Sequence, residues 1–178
     1  MDEENKQFIS VIIATYNRCE SLKDTLDSLL EQKKTSDFSY EIIVVDNNSK
    51  DKTKEVVGNY FSKFNVPLKY LFEPKQGKSY ALNLGIKEAE GEIIAFTDDD
   101  VIVGKNWIQN IYYCFKNKEI DLLGGNVKPL FDTEIPKWMN INILKGPLGY
   151  YDLSEKYIEN FERRISPIGA NISIRKGS

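Results

Sequence analysis

The sequence predicts an α/β fold built on a parallel or mostly parallel sheet, and three observations carry that prediction. Short apolar runs with strand character alternate with longer stretches of helical period. Two of the helical stretches gather their apolar residues on one face, with no ligand needed to explain the pattern. With 178 residues, 41% hydrophobic and 29% charged, the chain is long enough to bury one substantial core, so a single domain over residues 1–178 is expected.

The elements follow in order. FISVIIAT (8–15) is the first strand, and a helix over about 20–33 puts Leu22, Leu26, Leu29 and Leu30 on one face. YEIIVVD (40–46) is the second strand. The next helix, about 51–64, groups Val56, Val57, Tyr60, Phe61 and Phe64, with Ser49 and Asp51 placed to cap its start. PLKYLFE (67–73) is the third strand, and it leads to a helix over about 78–90 that Gly91 is placed to close. EIIAFTD (92–98) is the fourth strand, followed by a helix over about 105–117 and a fifth apolar run, IDLLGGNVKPLF (120–131). Beyond residue 132 the alternation stops. Pro136, Gly146, Pro147 and Gly149 stand among aromatic residues, as in a long loop or an insertion of short helices. SEKYIENFERR is a further amphipathic stretch, and PIGANISIRKGS begins like a strand.

Composition excludes several function classes. The formal net charge is -3, with basic and acidic residues intermixed, so a nucleic-acid backbone is not the expected partner. The apolar runs fall far short of the ~20 residues a membrane span needs, and the acidic start MDEEN lacks signal-peptide character. A cytoplasmic location is expected, at most peripheral at the inner face of the membrane. Cys19 and Cys114 are isolated, which argues against a disulfide framework or a thiolate metal site. The chain has no histidine, so acid–base work falls to Asp, Glu, Lys or Tyr, and any metal is held mainly by oxygen.

Ligands of parallel α/β sheets bind beyond the carboxyl ends of the strands. In this chain those ends carry Thr15, Tyr16, Asn17 and Arg18 after the first strand, Asp46 after the second, EPKQGKS after the third, and Asp98, Asp99 and Asp100 after the fourth. Three adjacent carboxylates repel one another, and dehydrating each without a partner costs several kcal/mol. In an extended turn Asp98 and Asp100 share a face while Asp99 points elsewhere. Two converging carboxylates form a hard-oxygen site suited to Mg²⁺ or Mn²⁺, whose open positions a diphosphate can fill. Gly77-Lys78-Ser79 repeats the end of a P-loop, but Phe72 replaces its first glycine, and Pro74 and Lys75 replace the open backbone. A P-loop-type hydrolase or kinase therefore stays only as the last alternative, favoured by Gly77-Lys78-Ser79 alone. Lys78 is either a point charge for a phosphate or a solvated lysine at a helix start.

Together SVIIATYNR, IIVVDNNSKDKT, GKSYALNLGIKEAEGEIIAFTDDD and GANISIRK resemble the nucleotide-sugar-dependent glycosyltransferases of family 2, in the correct order over most of the chain. The resemblance implies the GT-A fold, a Rossmann-like, mostly parallel sheet with helices on both faces. It further implies that Thr15 and its neighbours line the nucleotide and that Asp46 binds the base. Asp98 and Asp100 would form the DxD motif, with Asp98 towards the ribose and metal and Asp100 on the metal. Uracil offers an N3–H between two carbonyls, which an ionised Asp46 can accept; a turn or helix-capping carboxylate is the other reading of Asp46. The reaction implied is transfer of a sugar from a nucleotide-diphosphate sugar, UDP first, to a hydroxyl of a saccharide or lipid-linked acceptor, with inversion and with Mn²⁺ or Mg²⁺.

Two departures qualify the resemblance. Leu82-Asn83-Leu84-Gly85 lacks the basic residue that family members often carry there. Their catalytic base usually follows a segment like GANISIRK, so the base is expected beyond Ser178, and Asp152, Glu155 and Glu162 are read as surface-helix acids. Residues 1–131 then form a donor half and 132–178 the start of an acceptor half, where Trp138, Tyr150 and Tyr151 are either acceptor-facing or core. A non-catalytic nucleotide-sugar-binding module is the alternative of a different class.

Overall fold

A computed structural model describes residues 8–33, 37–131, 133, 134, 136, 150 and 169–177. Its elements are β1 (Phe8–Thr15), α1 (Cys19–Leu30), β2 (Ser39–Asp46), α2 (Thr53–Gly58), β3 (Leu68–Phe72), α3 (Lys78–Glu88), β4 (Ile93–Asp98), α4 (Trp107–Asn117), β5 (Leu122–Gly124), a 3₁₀ turn at Gly169–Asn171, and β6 (Ile172–Arg175). The sheet order is β3-β2-β1-β4-β6-β5. β1 to β4 are mutually parallel, while β6 runs antiparallel to both β4 and β5.

The central strands are apolar on both faces because both faces are covered. Ile9, Val11 and Ile13 of β1, Ile42 and Val44 of β2, and Ile93 and Ala95 of β4 pack in one core with Leu22, Leu26 and Leu29 of α1, Val57 of α2, and Ile108, Ile111 and Phe115 of α4. The alternate residues Ile12, Ile43, Val45 and Ile94 turn to the other face, where Ala81 of α3 meets them. Each of these Val, Leu, Ile and Phe side chains contributes about 1.5–3 kcal/mol by leaving water. α3 approaches closely because residue 85 is glycine: a Cβ there would lie 2.7 Å from Ile12 Cγ2.

The expected α/β architecture is thus present, with several local corrections. The second helix stops at Gly58; residues 59–63 continue as turns, which leaves Phe61 53% exposed while Tyr60 and Phe64 are buried. Asp51 Oδ1 accepts the Thr53 N–H at 3.1 Å at the start of α2, but Ser49 Oγ accepts from Asn17 N–H instead. Gly91 does not close α3; a Cβ at Gly91 would meet Ser10 N at 2.6 Å and Phe8 O at 2.7 Å, so glycine allows this turn to cross beside β1. The fifth strand shrinks to three residues, since β6 enters between β4 and β5, a pairing no local pattern announces. The expected elements between residues 137 and 149 and over 151–168 lie outside the described residues. Among the described residues no helix is long and apolar enough to cross a membrane.

Candidate functional site

Strand register brings the polar ends together. Thr15 pairs with Asp46, Asp46 with Phe72, and Ala14 with Asp98, so the loops after β1, β2, β3 and β4 leave the sheet from one edge. Hydrogen bonds then join neighbouring loops into a ring. Asn17, whose φ of 52° suits a turn asparagine, donates its N–H to Ser49 Oγ at 2.9 Å and accepts Lys50 N–H at 2.7 Å. The Cys19 N–H donates to Asp51 Oδ2 at 3.0 Å. Asn47 links the β2 loop to the β3 loop through Lys75 O and Gly77 N–H. Lys78 Nζ reaches Asp98 Oδ1 at 2.5 Å, and Arg18 Nη1 closes the ring on Asp100 Oδ2 at 2.5 Å and Asp99 Oδ1 at 3.5 Å.

Inside this ring lies a cavity of about 500 Å³ lined by Thr15, Tyr16, Arg18, Lys78 and all three aspartates, together with Ala14, Asn47, Gln76 and Gly77. A second cavity, about 400 Å³, shares Asp98 and Asp100 with the first and continues to Trp107, Asn126, Lys128 and Asn171. Asp99 lines only the first cavity, but there it stands beside Asp98 and Asp100 and shares the Arg18 guanidinium with Asp100, so it does not point away from the other two as the alternation led one to expect. Trp107 Nε1–H donates to Asn171 Oδ1 at 2.9 Å, and Asn171 Nδ2–H donates to Asn126 O at 3.0 Å, which fixes the floor of the second cavity.

The electrostatics differ among the acids. Burial pushes the Asp99 carboxyl above its ordinary range; nearby Thr15 and the Arg18 charge offset this in part. Thr15 Oγ1 is buried and makes no hydrogen bond of ordinary geometry. Asp99 and then Asp100 raise the Arg18 guanidinium further. Asp98 and Asp100 are more open, with side chains 29% and 50% exposed, and their cationic partners Lys78 and Arg18 are 57% and 54% exposed. Such exposed partners can swing aside at little cost.

Not every expected residue faces the cavity. Asp46 is buried at 3% exposure and lines neither cavity; its carboxylate accepts Ser49 N–H at 2.8 Å and Tyr70 Oη–H at 2.7 Å. Burial and then that bond to Asp46 raise the Tyr70 hydroxyl. Asn17 ties loops and does not line the cavity. Tyr150 is half-buried and lines neither cavity, while Trp138, Tyr151, Asp152, Glu155 and Glu162 lie outside the described residues. Sequence reasoning missed Asn47, Gln76, Trp107 and Asn171. Asn47 stood beside Asp46 at a strand end and could have been found by that position; Trp107 and Asn171 had no shared signal, being brought together across 64 residues. The amides of Lys75 and Gly77 are already engaged by Glu73 Oε1 and Asn47 Oδ1, consistent with the rejection of a P-loop cradle.

Among the described residues no group of three or more Cys, Asp or Glu is arranged as a ready metal-ligand set. Two hard carboxylates on a shared cavity wall do fit Mg²⁺ or Mn²⁺, which takes its remaining ligands from phosphate and water.

A sequence model of the family described as glycosyl transferase family 2 matches residues 10–175. The glycosyltransferase AglE of Haloferax volcanii is 36% identical over 122 residues, covering 68% of this chain and 40% of AglE. Among solved structures, Staphylococcus aureus TarS 1-349 in complex with UDP aligns with a TM-score of 0.63 and 28% identity over 72% of this chain and 38% of that one. The mannosyltransferase PcManGT from Pyrobaculum calidifontis, in complex with GDP-Man and Mn²⁺, gives 0.61 and 27% over 69% of this chain and 36% of that one. The chain thus spans about two fifths of the length of these relatives.

Proposed function

We propose, since this chain belongs to glycosyl transferase family 2, that it binds a nucleoside-diphosphate sugar, a UDP-sugar before others, as the donor for transfer to an acceptor hydroxyl. The observation that carries the reading is the larger cavity, where three carboxylates and two cations meet at the carboxyl edge of the sheet. Asp98 and Asp100 would hold Mn²⁺ or Mg²⁺, which neutralises charge growing on a leaving diphosphate. Arg18 and Lys78, now on those carboxylates, turn to phosphate oxygens. Tyr16, 46% exposed on the cavity wall, offers a face for the base. Asp46 lines neither cavity as the chain stands, so its contact with uracil N3–H requires Tyr70 to swing off the carboxylate and open a path to it. The second cavity, sharing Asp98 and Asp100 and walled by Trp107, takes the sugar and acceptor side. No residue of this chain is assigned as the general base, and inversion remains part of the proposal.

Thermal stability measured with UDP, GDP, dTDP and ATP, each with Mn²⁺ or with a chelator, tests the reading, because a ligand that binds the native state raises its stability. UDP with Mn²⁺ should give the largest shift, and Asp100→Asn should abolish most of the metal dependence. A metal dependence unaltered by Asp100→Asn would refute the assignment of Asp98 and Asp100.

A further inference from the structure

Asn47 follows β2 directly and is 3% exposed. Its backbone N–H donates to Thr15 O at 2.8 Å, which anchors it to the last residue of β1. Its side chain serves the next loop. Nδ2 donates to Lys75 O at 2.7 Å and to Glu73 O at 3.3 Å, while Oδ1 accepts Gly77 N–H at 2.7 Å and Gln76 Nε2–H at 3.4 Å. One carboxamide thus holds four residues of the β3–α3 loop against the ends of β1 and β2. A carboxylate there would face two carbonyl oxygens, and an aliphatic side chain would remove the partner of four part-buried polar groups of the loop.

The held loop ends on the residue that matters for phosphate. Gly77 has φ 136°, a conformation that suits glycine, and α3 begins at the next residue, Lys78. The Lys78 ammonium lies 2.5 Å from Asp98 Oδ1. A lysine is a point charge on a flexible stem, so its backbone origin decides where the charge is available. We propose that Asn47 is a positioning residue, which fixes the β3–α3 loop so that the Lys78 ammonium is presented to the diphosphate beside Asp98. This rests on the nucleotide-diphosphate reading above and adds to it a residue that acts through Lys78.

The test is a double-mutant cycle on the full chain, with UDP affinity in Mn²⁺ measured by calorimetry. Asn47→Ala and Lys78→Met should each weaken UDP about tenfold, the lower end for a hydrogen bond to a charged group. The double variant should be no weaker than the weaker single. Asn47→Ala combined with Arg18→Met should instead show multiplied losses, because Arg18 pairs with Asp100 from the β1 loop and makes no bond to Asn47. Multiplied losses in the Lys78 cycle as well would overturn the proposal, because a merely structural role predicts no special coupling. If Asn47→Ala fails to fold, Gly77→Ala, which strains the same loop at its positive φ, enters the same cycle. Amide exchange without ligand decides independently of nucleotide. Gly77 N–H should exchange at least about tenfold faster in Asn47→Ala, while β1 and β2 keep their protection. Unchanged Gly77 exchange overturns the proposal, whereas failure of the unaltered chain to bind UDP refutes the function reading itself.

Discussion

At the amino end of the parallel strands Glu41 is 1% exposed, and it accepts Ser10 Oγ–H at 2.7 Å and Glu90 N–H at 2.8 Å while pairing with Lys69 Nζ at 2.8 Å. At the carboxyl end Asp99 is 6% exposed and faces Arg18 across 3.5 Å. Burial opposes the charge on both acids. For Glu41 the bonds from Lys69, Ser10 and Glu90 outweigh it and the carboxyl is lowered; for Asp99 they do not, and the carboxyl is raised. The amino end is a closed polar network that locks β1, β2, β3 and the turn at Gly91, whose N–H donates to Ser10 Oγ at 2.8 Å. The carboxyl end keeps its acids on a cavity wall with displaceable partners. The same chemistry therefore serves structure where a buried acid is held by hydrogen bonds on one oxygen and an ion pair on the other, and supports a ligand site where the acids stay open on a cavity wall.

The sharpest way to break this comparison is to remove one acid from each end. Glu41→Ala leaves the part-buried Glu90 amide and the buried Ser10 hydroxyl without their acceptor, so folding stability should fall by about 1–3 kcal/mol in urea titrations. Asp98→Asn should change stability by less than about 0.5 kcal/mol while removing most of the metal-dependent binding of UDP. Equal stability losses at the two ends would erase the distinction. Asp46 tests its boundary, being at the carboxyl end yet fully engaged by Ser49 and Tyr70. Asp46→Ala should weaken UDP by about 1.5–3 kcal/mol in calorimetry without altering metal affinity; unchanged UDP binding would assign Asp46 to the structural class.

The pH dependence of stability should have opposite sign at the two ends. The lowered folded value of Glu41 means that its stabilisation is present above the ordinary glutamate range and is lost as pH falls through that lowered value. The raised folded value of Asp99 means that its stabilisation is present below the ordinary aspartate range and is lost as pH rises through that raised value. With rising pH, wild type should gain stability relative to Glu41→Gln and lose it relative to Asp99→Asn. Parallel slopes in urea midpoints from about pH 3 to about pH 7 would contradict this. The smallest effect is expected for Lys78→Met. Freed of a cation, Asp98 should bind Mn²⁺ alone at most about fivefold more tightly, the scale of an exposed ion pair, even as UDP weakens. A weaker grip on Mn²⁺ alone would show that Lys78 does not compete for Asp98.

The sequence by itself determined the layered α/β architecture, because continuous apolar strands and one-sided helices leave few other ways to cover a sheet. It also determined which edge holds the acids, since Thr15, Asp46 and Asp98 each end a parallel strand and parallel strands end on one side. What it could not determine are contacts between residues far apart in the chain. The insertion of β6 beside β4, the Trp107–Asn171 bond and the burial of Asp46 under Tyr70 depend on packing that no local period encodes. Asn47 shows the division within one side chain. Its place after β2 was legible, but its role depended on where the chain returns 26 to 30 residues later, and only the tertiary structure brings that loop within reach of one amide.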